Sequence, residues 1–337
     1  MGVRATDHDI ATVPKVELHI HLNGSISEAT ATTLARRHGG DPERDLRLVD
    51  GRYPATYPDF GGFLDAYLAS NGFVRTPEDL ESVAAAFVRE QARQNVLYSE
   101  AIFTALIFIR NGMDPAAMWT ALRRGFATEP GTRVGLVVDL IRDGGPGDAD
   151  AIIRLVEAAD APIVGLGLTG IEDAVPIEAF VPYRMASRRL GLGFEVHAGE
   201  MGPPASIAAS LDVLEADRIG HGVAAINDDA LLERLVRDQV VLDVCPSSNV
   251  AIGLFRSLED HPVAAFWRAG VNMTISSDDP PFFRTTLVDE LRHVVRLADL
   301  SRDDLAELQR RAARASFAPQ DVKADLVARI DRWAAGT

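Results

Sequence analysis

Eight short apolar runs, β-branched or flanked by glycine, recur along this chain. They fall at 16–20, 96–103, 134–141, 163–168, 193–197, 218–221, 240–244 and 271–276. Longer Ala- and Leu-rich segments with helical periodicity separate them, as at 77–95, 115–126, 149–159 and 177–190. Strand followed by helix, repeated, is the pattern of a parallel sheet. Eight such repeats in a chain of 337 residues predict an α/β fold, a (β/α)8 TIM barrel closed on itself, in place of an open doubly wound sheet. No Gly-x-Gly-x-x-Gly follows the first run, which weighs against a dinucleotide-binding half.

No linker divides the chain, and residues 1–337 are expected to form one barrel domain. Gly144-Gly145-Pro146-Gly147 sits where a strand hands over to a helix and reads as a turn. The stretch 38–71 is longer than an ordinary strand-to-helix loop. It carries Phe60, Phe63, Leu64, Tyr67 and Leu68 at helical spacing. That stripe either packs onto the barrel or forms a helical lid over its mouth after strand one, and the two are compatible. The end, 301–337, reads as a helical segment covering the barrel's outside.

Charge narrows the partners. Lys and Arg number 34 against 49 Asp and Glu, a net charge of −15. Such a surface disfavours nucleic acid and anionic membranes and leaves a small-molecule partner. The start lacks the basic and apolar regions of a signal peptide, and no run approaches the roughly 18 apolar residues of a spanning helix. A cytoplasmic location is expected, and the oligomeric state is open. The single cysteine, Cys245, cannot form an intrachain disulfide. After its β-branched run it reads as a buried small hydrophobe.

The chemistry gathers at the strand ends, where barrels of this kind place their sites. His19 and His21 alternate with Leu18, Ile20 and Leu22, so both imidazoles leave one face of the first strand. Glu195-Val196-His197-Ala198-Gly199-Glu200 ends the fifth, with Glu200 in the following loop. Gly220-His221-Gly222 ends the sixth, its glycines letting the backbone turn tightly. Ser277-Asp278-Asp279-Pro280 ends the eighth, and Leu168-Thr169-Gly170 the fourth. Singly, His197 reads first as a satisfied core histidine and the Asp pair as a turn. Together, three imidazoles and a carboxylate suit zinc, with an open position for water. A further histidine can orient that water or take its proton, and a glutamic acid can protonate the substrate. The expected reaction is metal-assisted hydrolysis. His8, His38, His261 and His293 lie in terminal, loop or helical contexts and read as structural or solvated.

The motifs Pro14-Lys15-Val16-Glu17-Leu18-His19-Ile20-His21-Leu22, His197-Ala198-Gly199-Glu200, Gly220-His221-Gly222 and Ser277-Asp278-Asp279-Pro280 resemble, in order, those of the adenosine deaminase family of the amidohydrolase superfamily. The resemblance spans nearly the whole chain. It implies one Zn2+ held by His19, His21, His197 and Asp278. It implies that Glu200 shares a proton with purine N1 and that His221 orients and deprotonates the water. Asp279 would hydrogen-bond N7 and the Gly170 amide would contact N3; Phe63, Leu64 and Tyr67 of the lid stripe are the further candidate substrate contacts. The implied reaction is deamination of a 6-aminopurine nucleoside, adenosine or a 5′-modified relative, to the 6-oxopurine and ammonia.

The departures bear on the substrate. Asn23 stands where the family's adenosine deaminases usually carry Asp at the sugar's 5′ end, and an amide can donate to a phosphate. His-Leu-Asn-Gly-Ser is similar to the motif of proteins acting on N6-methyl-AMP, whereas Asp278-Asp279-Pro280-Pro281-Phe282-Phe283 is closer to bacterial adenosine, adenine and aminodeoxyfutalosine deaminases. Arg142 and Arg284 are the candidate phosphate partners. A pterin hydrolase on the same barrel is a competing reading. A catalytically dead relative would have lost a ligand or Glu200, and none is lost.

Overall fold

A computed structural model describes residues 3–336. Eight parallel strands follow one another around a sheet in chain order. They are β1 (Lys15–His21), β2 (Val96–Phe103), β3 (Arg133–Ile141), β4 (Ile163–Thr169), β5 (Gly193–Ala198), β6 (Arg218–His221), β7 (Val241–Val244) and β8 (Asn272–Ile275). The circle closes just beyond β8. There Ile20 bridges Asp278, the His21 N–H donates to the Asp278 carbonyl (2.9 Å) and the Asp278 N–H to that of His19 (3.1 Å). Closure therefore places Asp278 directly against the two histidines of β1.

Alternation explains how β1 is buried on both faces. Val16 and Leu18 pack with Tyr98 against Ala312, Leu326 and Ile330 of the C-terminal helices, and Ile20 lies in the main core. His19 and His21 point into the barrel, while Glu17, just before a register shift in the β1–β2 pairing, accepts from Gln91 (2.8 Å) of the outer helix Pro77–Arg93. Other inward positions are also polar, in contrast to the branched apolar layers usual in such barrels. Arg218 lies fully buried among three carboxylates, at 2.7 Å from Asp243, 2.7 Å from Glu195 and 2.5 Å from Glu100.

The expected lid segment forms a short helix, Pro42–Asp45, and a longer one, Phe60–Asn71. The Asp59 side chain caps the second by accepting from the Gly62 N–H. Phe63 and Tyr67 pack into an aromatic cluster with Tyr53, Tyr57, Phe282 and Phe283, so the stripe both packs and covers the mouth. The C-terminal segment is two helices, Arg302–Ala315 and Gln320–Ala335, because Pro319 cannot continue the first. The helix expected at 177–190 begins as a 3-10 turn, Ile177–Phe180, before the α-helix Val181–Leu190. Among the described residues no helix is long and apolar enough to cross a membrane.

Candidate active site

The strand ends converge on a cavity of about 270 Å³. Its walls include His21, His197, Glu200, His221, Asp278, Asp279 and Gly170, with Phe63, Leu64 and Tyr67 from the lid. His19 lies beneath, fully buried. Besides Gly170, two of these residues have left-handed backbones, His221 (φ 62°) and Asp278 (φ 63°). Each such non-glycine conformation costs about 1–3 kcal/mol and persists where surroundings over-determine it. For Asp278 those surroundings are the two main-chain bonds to β1 and a side-chain bond from Ser248 Oγ (2.6 Å).

The imidazoles are arranged for a cation. Glu195 engages His19 Nδ1, which leaves His19 Nε2 buried with no partner. His21 Nε2 faces His197 Nε2 at 3.3 Å, and Asp278 Oδ1 lies 3.3 Å from His21 Nε2 and 3.7 Å from His19 Nε2. Lone pairs pointed at one another with a carboxylate between them are satisfied by a shared metal ion. Burial and the neighbouring imidazoles pull His197 well below the usual range, and burial takes His21 to about 4, so both offer neutral nitrogens. Burial also lowers His19, but Glu195 and Asp278 overcome it and raise it to about 9. A carboxylate behind a ligating histidine fixes the ring and strengthens the donor.

A second grouping, His19, His221, Cys245 and Asp278, also brings donor atoms together. It is the poorer candidate. Burial raises the Cys245 thiol well above its ordinary pKa, and a metal needs the thiolate. His221 is already engaged. Asn249 Nδ2 meets His221 Nδ1 (3.2 Å), Asn249 Oδ1 meets His261 Nε2 (3.2 Å), and the Val263 N–H donates to His261 Nδ1 (3.1 Å). That last bond makes His261 Nδ1 an acceptor, so its Nε2 carries the proton. The amide of Asn249 then donates to His221 Nδ1, and His221 presents an Nε2–H to the cavity, 3.6 Å from Glu200 Oε1. His261 is buried at the end of this relay, not solvated.

Acids line the other walls. Burial, then the charges of Asp278 and Glu172, raise Glu200 well above the carboxylate range. Burial and Asp278 do the same for Asp279, whose Oδ1 has no partner. Gly24 backs directly onto Asp279, where a Cβ would lie 1.5 Å from Oδ1. Asp139 on β3 accepts from Thr104 (3.1 Å) and Thr169 (2.6 Å) and keeps its other oxygen unpaired in the cavity wall.

Three candidates for the substrate's 5′ end are placed elsewhere. Asn23 is 2% exposed and does not line the cavity. Its oxygen accepts from the Thr104 N–H (3.0 Å) and its amide donates to Asn71 of the lid helix (3.0 Å). Arg142 is buried beneath the site, donating to the Glu172 and His197 carbonyls. Arg284 donates to the Tyr53 carbonyl. Sequence reasoning passed over Ser248 and Asn249, although both follow the end of β7, the same kind of position that flagged the others. Glu172 was within reach too, two residues beyond Gly170.

Fold and site together define a metal-dependent hydrolase of the amidohydrolase type. The chain belongs to the adenosine deaminase family, whose model, described as "Adenosine deaminase", matches residues 14–333. It is 38% identical to the aminodeoxyfutalosine deaminase of Streptomyces avermitilis, over 97% of this chain and 92% of that protein. Its fold matches the crystal structure of an adenine deaminase from Arthrobacter aurescens with a TM-score of 0.89 at 29% identity, covering 96% of this chain and 100% of that one. It matches the apo N6-methyl-AMP deaminase of Arabidopsis thaliana at 0.86 and 25% identity, covering 98% and 100%.

Proposed function

We propose that this chain hydrolyses the 6-amino group of an adenine ring carried by a substrate without a 5′ phosphate. The first candidate is aminodeoxyfutalosine, an adenine nucleoside extended from its 5′ carbon, and the second is free adenine. One observation carries the choice: among the described residues lining the cavity, none is Lys or Arg. A phosphate needs cationic or N–H donors, and Arg142 and Arg284 are both spent on main-chain carbonyls. Phe60, Leu64, Leu68 and Ile171 line the cavity as well, an apolar surface suited to a substrate larger than the bare ring. The 38% identity to an aminodeoxyfutalosine deaminase points the same way.

His19, His21, His197 and Asp278 would hold one Zn2+, whose nitrogen and oxygen preferences they meet. Bound there, the ion supplies a water acidic enough to act as nucleophile near neutral pH. The chain's own groups do the rest. Glu200 gives its proton to N1 as water adds to C6. Of the two water protons, one restores the Glu200 acid and the other leaves with the 6-amino group as ammonia. His221, held by Asn249 as an N–H donor, orients the incoming oxygen and does not remove its proton. Asp279 meets N7 and the Gly170 amide meets N3.

The test is amine release by the zinc-loaded protein: ammonia from aminodeoxyfutalosine, adenine, adenosine and AMP, and methylamine from N6-methyl-AMP. Aminodeoxyfutalosine is expected to be fastest, with both nucleotides lower by about 100-fold or more in kcat/KM, the scale of an unpaired buried phosphate. A nucleotide turning over fastest would sink the substrate class, and no ammonia from any compound would sink the reaction.

A further inference from the structure

Glu172 lies in the loop after β4 and is 8% exposed. Four consecutive backbone N–H groups of the loop that carries Glu200 donate to its carboxylate. Oε2 accepts from Gly199 (2.7 Å), and Oε1 from Glu200 (2.8 Å), Met201 (2.9 Å) and Gly202 (3.0 Å). The Ser206 hydroxyl also donates to Oε2. Successive N–H groups curled around an anion form a nest, and here the anion is the protein's own side chain.

The loop is shaped to this use. Gly199 starts it in the left-handed region (φ 67°), and at Gly202 a Cβ would stand 2.4 Å from Glu172 Oε2. From below, Arg142 ties both parts together, donating to the Glu172 carbonyl (3.0 Å) and to that of His197 (2.8 Å). Loops move, and a proton donor displaced by about 1 Å loses on the order of 100-fold in rate.

We infer that Glu172 is a positioning residue for Glu200, its carboxylate serving as the mould on which residues 199–202 fold so that the Glu200 side chain is held over the cavity opposite His221. This rests on the reading of Glu200 as the group that protonates the ring. The geometry separates Glu172 from a simple loop staple, because one of the bonds it accepts comes from the main chain of Glu200 itself.

The experiment compares Glu172→Gln, Glu200→Gln and the double variant, using the fastest compound of the panel above. The glutamine keeps the shape but turns one acceptor oxygen into an amide NH2 group facing N–H donors. Zinc content and KM should stay within about threefold while kcat falls at least tenfold, the pattern of a lost transition-state contact. Amide exchange of Glu200, Met201 and Gly202 should accelerate in the same variant and not in β1 or β8. In the Glu200→Gln background the second substitution should change residual kcat by less than about twofold, because a residue acting through another has nothing left to act on. Glu172→Asp, which keeps the charge but is one methylene short, should fall between the two and serves if the glutamine variant does not fold. A lower Tm with unchanged kcat would overturn the proposal. Near wild-type turnover by Glu200→Gln would instead overturn the reading of Glu200, and an inactive Glu200→Gln beside a normal Glu172→Gln would remove only the positioning role.

Discussion

Asn23 has two polar ends and one place in the fold that uses both. Its oxygen takes the Thr104 N–H at the end of β2, and its amide reaches Asn71, whose own amide returns to the Asn23 carbonyl (3.1 Å). The residue thus fastens the lid helix to β1 from underneath. From sequence it reads as a specificity residue, because its neighbours His19 and His21 are chemical and its partner is 48 positions away. Exchange for aspartate keeps the acceptor and deletes the donor, setting a buried carboxylate against the Asn71 oxygen. Asn23→Asp should therefore cost about 1–3 kcal/mol in urea unfolding, the usual penalty for a buried partner lost. It should leave the ratio of kcat/KM for adenosine over AMP within about twofold, because no contact to a 5′ group is altered. A tenfold shift of that ratio would put the side chain back in contact with substrate.

At the scale of elements, the strands were legible to within a residue or two, because covered parallel strands are short apolar runs between glycines and helices. That His19, His21, His197 and Asp278 come together was legible for the same reason: each falls at a strand end, and barrel topology gathers strand ends. The relay from His221 through Asn249 to His261 was not, because it depends on which ring nitrogen meets which amide across segments with no shared periodicity. The lid helix Phe60–Asn71 has a face that sequence can mark but not aim. Phe63 and Tyr67 turned out buried in the aromatic cluster, while Leu64 is half-buried on the cavity wall and Leu68 is exposed at its mouth. With the extended substrate proposed above, Leu64 would be the position where the lid meets what extends from the purine. Leu64→Ala removes about half of a leucine's burial, on the order of 1 kcal/mol. KM for aminodeoxyfutalosine should rise about fivefold with kcat unchanged, and KM for adenine should barely move. Equal effects on both would place Leu64 against the ring, not its extension.

The whole barrel is organised by charge running along its axis. At the bottom, Arg218 of β6 gathers Glu100 of β2, Glu195 of β5 and Asp243 of β7, and its guanidinium lies 4.0 Å from the centroid of the Phe317 ring between the two C-terminal helices. Further up, the same Glu195 holds His19, and Glu17 accepts from the Ser277 N–H (3.0 Å) beside Asp278. The floor therefore sets the orientation of the metal side of the cavity while closing the barrel. Pairs 118 and 25 residues apart leave no local trace in sequence, where Arg218 looks like one more basic residue at a strand start. Removing one partner of a buried ion cluster leaves uncompensated charge, at about 3–5 kcal/mol. Arg218→Met keeps much of the volume and deletes the charge. In urea unfolding of the metal-free protein it should lose stability of about that size. A loss of less than about 1 kcal/mol would mean that solvent reaches the barrel floor, as exposed pairs contribute no more than that. The carboxylates that Arg218 serves would then not need it to stay charged, and Glu195 would hold His19 on its own.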